Sequence, residues 1–439
     1  MRLTTFHAAL ALVAIGAAPL AAQTPAMPSL TPREARMRDW LGAHEREQVA
    51  LLERLVDIQS GTLNAEGVRR VGAAVASTLD SLGFQTRWAS PPDGSLRAGH
   101  LIAEHVGRKG RARVLLIGHL DTVFEGTGQR FELVGDTARG AGVNDMKGGD
   151  VAIVAALRAM QAAGALADAN IVVVMTGDEE SPGDPLTAAR APLVEQARRS
   201  DVALAFEGDA GKATVARRGA SEWDLTVTGK QAHSGGIFSE GTGYGAIYEA
   251  ARILDGFRTR LAGRYGLTYS PGVIVGGTDV TYDSAHLAGS ASGKTNIVAR
   301  RVRVTGDLRF LSPGQLDSAR AVMREVVAAH LPGTDASIAF EDAYPSMAPT
   351  PGNYALLAAA DAVSRALGQG PLEALDPALR GGGDASFVAA YLPVLDGLGV
   401  RGSGAHTPEE TLDVRSLTRS AERAAVLIGR LAEKKGHGG

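Results

Sequence analysis

The chain repeats one pattern: a short, wholly apolar run that stops abruptly in polar residues. Val114 to Gly118 is apolar or glycine and ends in His119, Leu120 and Asp121. Asn170 to Thr176 (NIVVVMT) leads into Asp178, Glu179 and Glu180. Val202 to Phe206 ends at Glu207 and Asp209. Uninterrupted Val, Ile and Leu over so short a span reads as a strand buried on both faces. Val151 to Leu166 and Leu186 to Arg199, which lie between these runs, have helical spacing. Strands alternating with helices predict a parallel sheet, so the three polar ends converge on one edge. That carboxyl edge is where open α/β sheets build their sites.

The flanking stretches extend this outline. Met37 to Val56 and Val68 to Leu82 read as helices, the second closed by Gly83. Phe84 to Ala89 and Leu101 to Val106 read as strands. From about Arg218 the texture changes: Glu222 to Thr228 alternates as a half-buried antiparallel strand does. A helix over Tyr244 to Leu261 follows, then strands over Gly272 to Val280 and Thr295 to Leu311. A helix over Pro313 to His330 and a strand over Ala336 to Glu341 complete a β-α-β-β-α-β order, which predicts a small inserted sandwich. Tyr354 to Leu367 reads as a helix, Val388 to Gly399 as a last buried strand, and Val414 to Lys434 as a closing helix.

Composition narrows the chemistry. The 439 residues suffice for more than one domain. The formal net charge is −3 and no long basic run occurs, so the chain carries no electrostatic footprint for nucleic acid. Arg2, the apolar stretch Ala8 to Leu20 and the small Ala21 and Ala22 read as a cleaved signal peptide over residues 1–22, with a Pro-containing linker over 23–36. The apolar stretch is shorter and richer in Ala than a membrane span. The expectation is a secreted or periplasmic protein, with no membrane attachment after cleavage. Cysteine is absent, so any metal is held by His, Asp and Glu.

Residues i and i+2 of a strand point the same way, so Asp121 can lie beside the His119 ring and fix its tautomer. Asp145 sits in the loop GAGVNDMKGGD ahead of a helix, where simple N-capping is its alternative role. The neighbouring acids Glu179 and Glu180 repel each other unless solvent or a cation offsets the charge. A paired-metal site needs about five protein ligands, one of them a carboxylate bridging ions roughly 3.5–4 Å apart. The candidates are His119, Asp145, Glu180, Glu207 and His406. The site also needs a base that is not a ligand, and Glu179 and Glu180 can divide those roles. The loop Gly381 to Asp384 lacks the Lys-Ser/Thr of a phosphate loop and reads as a tight turn at the site edge. His44, His100, His105, His286, His330 and His437 fall in no motif and read as surface groups.

The succession GHLDTV, GVNDMKGG, GDEES, FEGDAG, AHSGG, TNIV…GDLRF, GGGDAS and AHTPEE resembles the dizinc exopeptidase family of glutamate carboxypeptidase, aminoacylase and succinyl-diaminopimelate desuccinylase. The glutamate carboxypeptidase branch is the most similar. The resemblance implies two zinc ions per subunit, bridged by Asp145. His119 and Glu207 complete one site, and Glu180 and His406 the other. Asp121 orients His119, and Glu179 is the general base acting on the bridging water. It further implies that His233 reaches a neighbouring subunit's active site and stabilises the oxyanion. Arg309 and Asn296 fall where the family grips a free carboxylate, and Lys212 aligns, across a gap, with a residue that holds acidic substrates. FEGDAG is shorter than its counterpart, so Asp209 rivals Glu207 as ligand.

The resulting expectation is an α/β protein with a mixed, mostly parallel sheet and helices on both faces. The catalytic domain spans residues 37–217 and 344–439, interrupted by a ferredoxin-like lid and dimerisation domain over 218–343. The expected activity is zinc-dependent hydrolysis of the amide bond before a C-terminal amino acid, by a homodimer acting on small peptides or N-acyl amino acids. An N-acyl amino acid amidohydrolase or dipeptidase is the alternative within enzymes, and a catalytically silent binding homologue the alternative outside them.

Overall fold

The computed structural model describes residues 29–126, 129–209, 211–284 and 286–436. The signal-peptide reading of residues 1–22 lies outside them. The main sheet has six strands, in the order Gln85–Ala89, His100–His105, Asn170–Thr176, Arg113–His119, Val202–Ala205 and Val394–Leu395. The first two pairings are antiparallel and the other three parallel. Register brings the polar ends level: His119 lies opposite Thr176, and Ile117 opposite Ala205.

Alternation along these strands divides the core in two. Val114, Leu116, Val173, Met175 and Leu204 face the larger apolar cluster, which includes the helices Gly148–Ala162 and Val414–Ala432. Leu115, Ile117, Val172, Val174 and Ala203 face a second cluster with Leu193, Met347, Val388 and Leu392. Helices therefore cover both faces, which explains why the central strands carry no polar stripe.

Proline and capping chemistry move several element boundaries. The stretch read as one helix over 37–56 is two, Pro32–Ala43 and Glu45–Val56. The first begins inside the predicted linker, because Thr31 and Glu34 form a reciprocal capping box around Pro32. The helix expected over 186–199 breaks into Leu186–Ala189 and Ala191–Arg198, since Pro192 cannot donate a hydrogen bond to the preceding turn. Only Val394 and Leu395 of the predicted last strand pair in the sheet, after a helix over Asp384–Val388. Among the described residues no helix is long and apolar enough to cross a membrane.

A second sheet has the order Thr334–Asp342, Gly219–Gly229, Arg301–Phe310, Thr268–Gly277, all antiparallel. Its first and third strands in the chain lie in the middle, the arrangement of a ferredoxin-like sandwich. The helices Gly245–Leu261 and Pro313–Ala328 pack on it around Trp223, Phe257, Val304 and Met323. The expected order omitted a hairpin, Asp279–Asp283 with Ala288–Ser292. The second of its two short strands, AGSAS, carries only small residues and gives no apolar periodicity to detect.

A third sheet joins Glu132–Val134, Thr137–Arg139, Thr411–Asp413 and Gly402–Ser403. It ties the loop of His406 to the chain entering the loop of Asp145.

Strand and helix pack tightly just before His119. A Cβ on Gly118 would lie 2.2 Å from Asp150 Oδ1, and Asp150 is fully buried. Gly118→Ala is therefore expected to cost about 1–3 kcal/mol of stability through overpacking, read as a lower urea midpoint. A wild-type midpoint would show that the Asp150 side chain gives way freely.

Candidate metal centre

The converging ends form two groups that share one carboxylate. In the first, His119 Nε2 lies 3.1 Å from Asp145 Oδ1 and 3.7 Å from Glu207 Oε1. In the second, His406 Nε2 lies 3.1 Å from both Asp145 Oδ2 and Glu180 Oε2. Each group places three donor atoms within 4.8 Å of one another, close enough to hold a metal ion. Asp145 thus presents one oxygen to each group. It sits in an irregular turn over Val143–Lys147, and His406 adopts a left-handed φ of 65° in its loop.

The Asp121 carboxylate does more than the sequence suggests. The His119 Nδ1 lies 3.1 Å from the backbone carbonyl of Asp121 and 3.6 Å from its carboxylate. The carbonyl, not the expected carboxylate, is thus the hydrogen-bond partner of the ring. The freed carboxylate accepts the Glu179 N–H at 3.0 Å, the Glu180 N–H at 3.1 Å and the Thr62 hydroxyl at 2.7 Å. One buried acid therefore couples the end of the His119 strand to the two glutamates of the next.

Other anchors were not legible as site residues. Glu410 accepts the N–H groups of Gly142, Asn144 and Asp145, fixing the Asp145 loop from behind. Arg190 pairs with Asp178 at 2.6 Å and Asp384 at 2.7 Å, with its side chain 1 % exposed. Asp384 also accepts the Thr176 hydroxyl. The Gly381 to Asp384 loop is thereby bound to the acidic loop rather than forming an isolated turn. His100 is buried, not superficial: its Nδ1 accepts the Gly177 N–H and its Nε2 meets the Ala189 carbonyl. Arg217 pairs with Asp396 at 2.5 Å beneath the Glu207 strand end. The available signal was a charged residue beside a predicted apolar run; its partner, far away in sequence, could not be read.

Crowded acids raise one another's proton affinity. Burial and the nearby Asp145 push Glu180 up to about 8 and Glu207 up to about 7. Burial likewise drives Glu179 well above the usual carboxylate range. Burial disfavours charge on His119, but its contacts with Asp121 and Asp145 outweigh this and hold its pKa high. The hydrogen bond to Asp145 raises His406 to about 9. A divalent cation in each group reverses this ordering, favouring ionised carboxylates and neutral imidazoles. Among the described residues Glu179 belongs to neither group.

The remaining predicted residues lie apart from the two groups. The Asp209 carboxylate accepts the Gly211 N–H and pairs with Arg423 at 3.1 Å, so Glu207 and not Asp209 stands beside His119. Lys212 is exposed and pairs with Glu373 at 3.0 Å. His233 is exposed in the second sheet's unit, where its Nδ1 accepts the Gly235 N–H at 3.1 Å. The Asn296 carbonyl accepts the N–H of the adjacent Ser234. Arg309 pairs with Asp307 at 2.8 Å.

Comparison with known proteins identifies the family. The sequence profile of Peptidase family M20/M25/M40 matches residues 115–430. Carboxypeptidase G2 of Pseudomonas sp. (strain RS-16) is 28% identical over 396 residues, covering 87% of this chain and 88% of that protein. Succinyl-diaminopimelate desuccinylase of Gluconobacter oxydans (strain 621H) is 26% identical over 388 residues, covering 84% and 94%. The crystal structure of aminopeptidase PepT from Bacillus cereus ATCC 10987 superposes with a TM-score of 0.71 at 21% identity, covering 88% of this chain and 99% of that one. The chain belongs to Peptidase family M20/M25/M40 and is an enzyme that hydrolyses amide bonds.

Proposed function

We propose that this enzyme removes a C-terminal amino acid from a small peptide, using two zinc ions held around Asp145. One observation carries the reading: a single carboxylate, Asp145, faces a His and a Glu on each side. The donor set fits the metal. Imidazole and carboxylate oxygen suit zinc where no thiolate exists, and the buried Glu180 Oε1 has no hydrogen-bond partner, leaving a lone pair for a cation. His119, Asp145 and Glu207 would hold one ion, and Asp145, Glu180 and His406 the other. When bound, such a pair supplies Lewis acidity toward the substrate carbonyl and lowers the pKa of water.

Glu179 is the proposed base that moves the proton. Its backbone is held at the N–H by Asp121 and at the carbonyl by the Tyr344 hydroxyl, 3.1 Å away. Its carboxylate takes a proton from the attacking water as the oxygen bonds to the carbonyl carbon. The same proton passes to the leaving nitrogen as the C–N bond breaks. His233 supports a role for a second subunit. Because its Nδ1 accepts a hydrogen bond, the neutral ring carries its proton on Nε2, a donor suited to a developing oxyanion. We place that donor in a partner's site, making the protein a homodimer. Arg309 and Asn296 are the proposed grips for the free carboxylate of the substrate. The apolar stretch Ala8 to Leu20 supports an exported, periplasmic or secreted enzyme.

One observation favours the second reading, an N-acyl amino acid amidohydrolase or dipeptidase. Lys212, the residue that would select acidic substrates, is engaged at the surface by Glu373. A panel of N-acyl and peptidyl substrates ending in Glu, Leu or Lys separates the two. The carboxypeptidase reading predicts release of the terminal residue from peptides, led by Glu. Preference for simple N-acyl amino acids would move the activity to the second reading.

Substitution distinguishes the two adjacent glutamates. Glu179→Ala is expected to lower kcat by at least about 10²–10⁴-fold with both metals retained by elemental analysis. Glu180→Ala is expected to lose bound metal as well as turnover. Near-normal kcat in Glu179→Ala would refute the proton-transfer role.

A further inference from the structure

The helix Val414–Ala432 places Arg415, Arg419 and Arg423 four residues apart along one stripe. Like charges at this spacing destabilise a helix. All three, with Arg401, line a cavity of ≈ 380 Å³ that Asp209 also lines. Asp209 and Asp413 are the carboxylates in that lining, and both are committed. Asp413 accepts the Arg415 N–H at the start of the helix and pairs with the Arg415 Nε at 3.0 Å. Asp209 holds the Gly211 N–H and the Arg423 guanidinium. The Arg423 side chain is nearly fully buried, yet its Nε has no hydrogen-bond partner. Arg401 approaches Asp209 only to 3.9 Å, and Arg419 meets a single backbone carbonyl, of Gln369, at 3.4 Å.

Four guanidiniums thus face one cavity lined by two carboxylates, with Asp136 pairing Arg415 from outside that lining at 3.5 Å, and Arg423 carries a buried, unused donor. A buried donor left unpaired is unfavourable, and planar guanidiniums match the oxygens of phosphate and carboxylate groups. We propose that this cavity binds a small oxyanion bearing two or more charges, of the phosphate or dicarboxylate class. The site is separate from the proposed metal groups and independent of which amide the enzyme cleaves. An occupant would bridge the arginine stripe and Asp209, two residues past Glu207.

Calorimetric titration of sulfate and of malonate into the metal-loaded protein, at constant ionic strength, tests this. The expected result is one saturable site for at least one probe. Binding should weaken about tenfold or more in Arg415→Gln/Arg419→Gln, the effect of losing one charge-assisted contact, with kcat unchanged. Tighter sulfate assigns the tetrahedral class, and tighter malonate the dicarboxylates. No saturable binding of either probe, or equal affinity in the variant, overturns the site. Should the variant fail to fold, selenate soaked into crystals of the wild-type protein gives the same decision. An anomalous peak within hydrogen-bond reach of Arg415, Arg419 or Arg423 supports the site; selenate found only elsewhere refutes it.

Discussion

The site depends on one buried carboxylate, that of Asp121. It accepts backbone N–H groups from Glu179 and Glu180 and the hydroxyl of Thr62, while its own carbonyl meets the His119 ring. Two parallel strands can end level and still leave their polar tips free to swing. Here the tip of one strand is the acceptor for the tip of the next, so a candidate ligand of each metal group shares one anchor. In a fully buried position these bonds are unscreened, and each lost acceptor leaves a buried donor unsatisfied.

Around this anchor the fold arranges support in layers. Arg190 joins the acidic loop to Asp384, Glu410 cradles the Asp145 turn, and the small third sheet ties the His406 loop to the same turn. These contacts link residues far apart in the chain, so they convert a sheet edge into a set geometry. Burial first, and the neighbouring acids after it, push the carboxyls of Glu179, Glu180 and Glu207 toward the protonated form. The arrangement is electrostatically comfortable with cations among the acids and uncomfortable without them.

Much of this was legible because the main strands are buried on both faces and end together. The apolar runs at Val114, Asn170 and Val202 needed no tertiary context, and their polar ends marked His119, Glu180 and Glu207. Local chemistry also shifted boundaries that periodicity blurred, as Thr31 and Glu34 did for the first helix and Pro192 for the broken one. What escaped was non-local. Nothing near Arg190, His100 or Glu410 in sequence announces the carboxylate, carbonyl or amides they meet. The Asp121 carboxylate was expected on the His119 ring, because strand alternation fixes only which way a side chain points, not which donor reaches it first. Lys212 shows the same limit in reverse, since its surface partner Glu373 lies far along the chain.

We propose that Asp145 bridges two metal ions. Anomalous diffraction from crystals of the zinc-loaded protein, recorded on both sides of the zinc absorption edge, addresses it directly. The expected result is two peaks roughly 3.5–4 Å apart, one beside His119 and Glu207, the other beside Glu180 and His406, with Asp145 between them. A single peak, or two peaks that do not share Asp145, would contradict it.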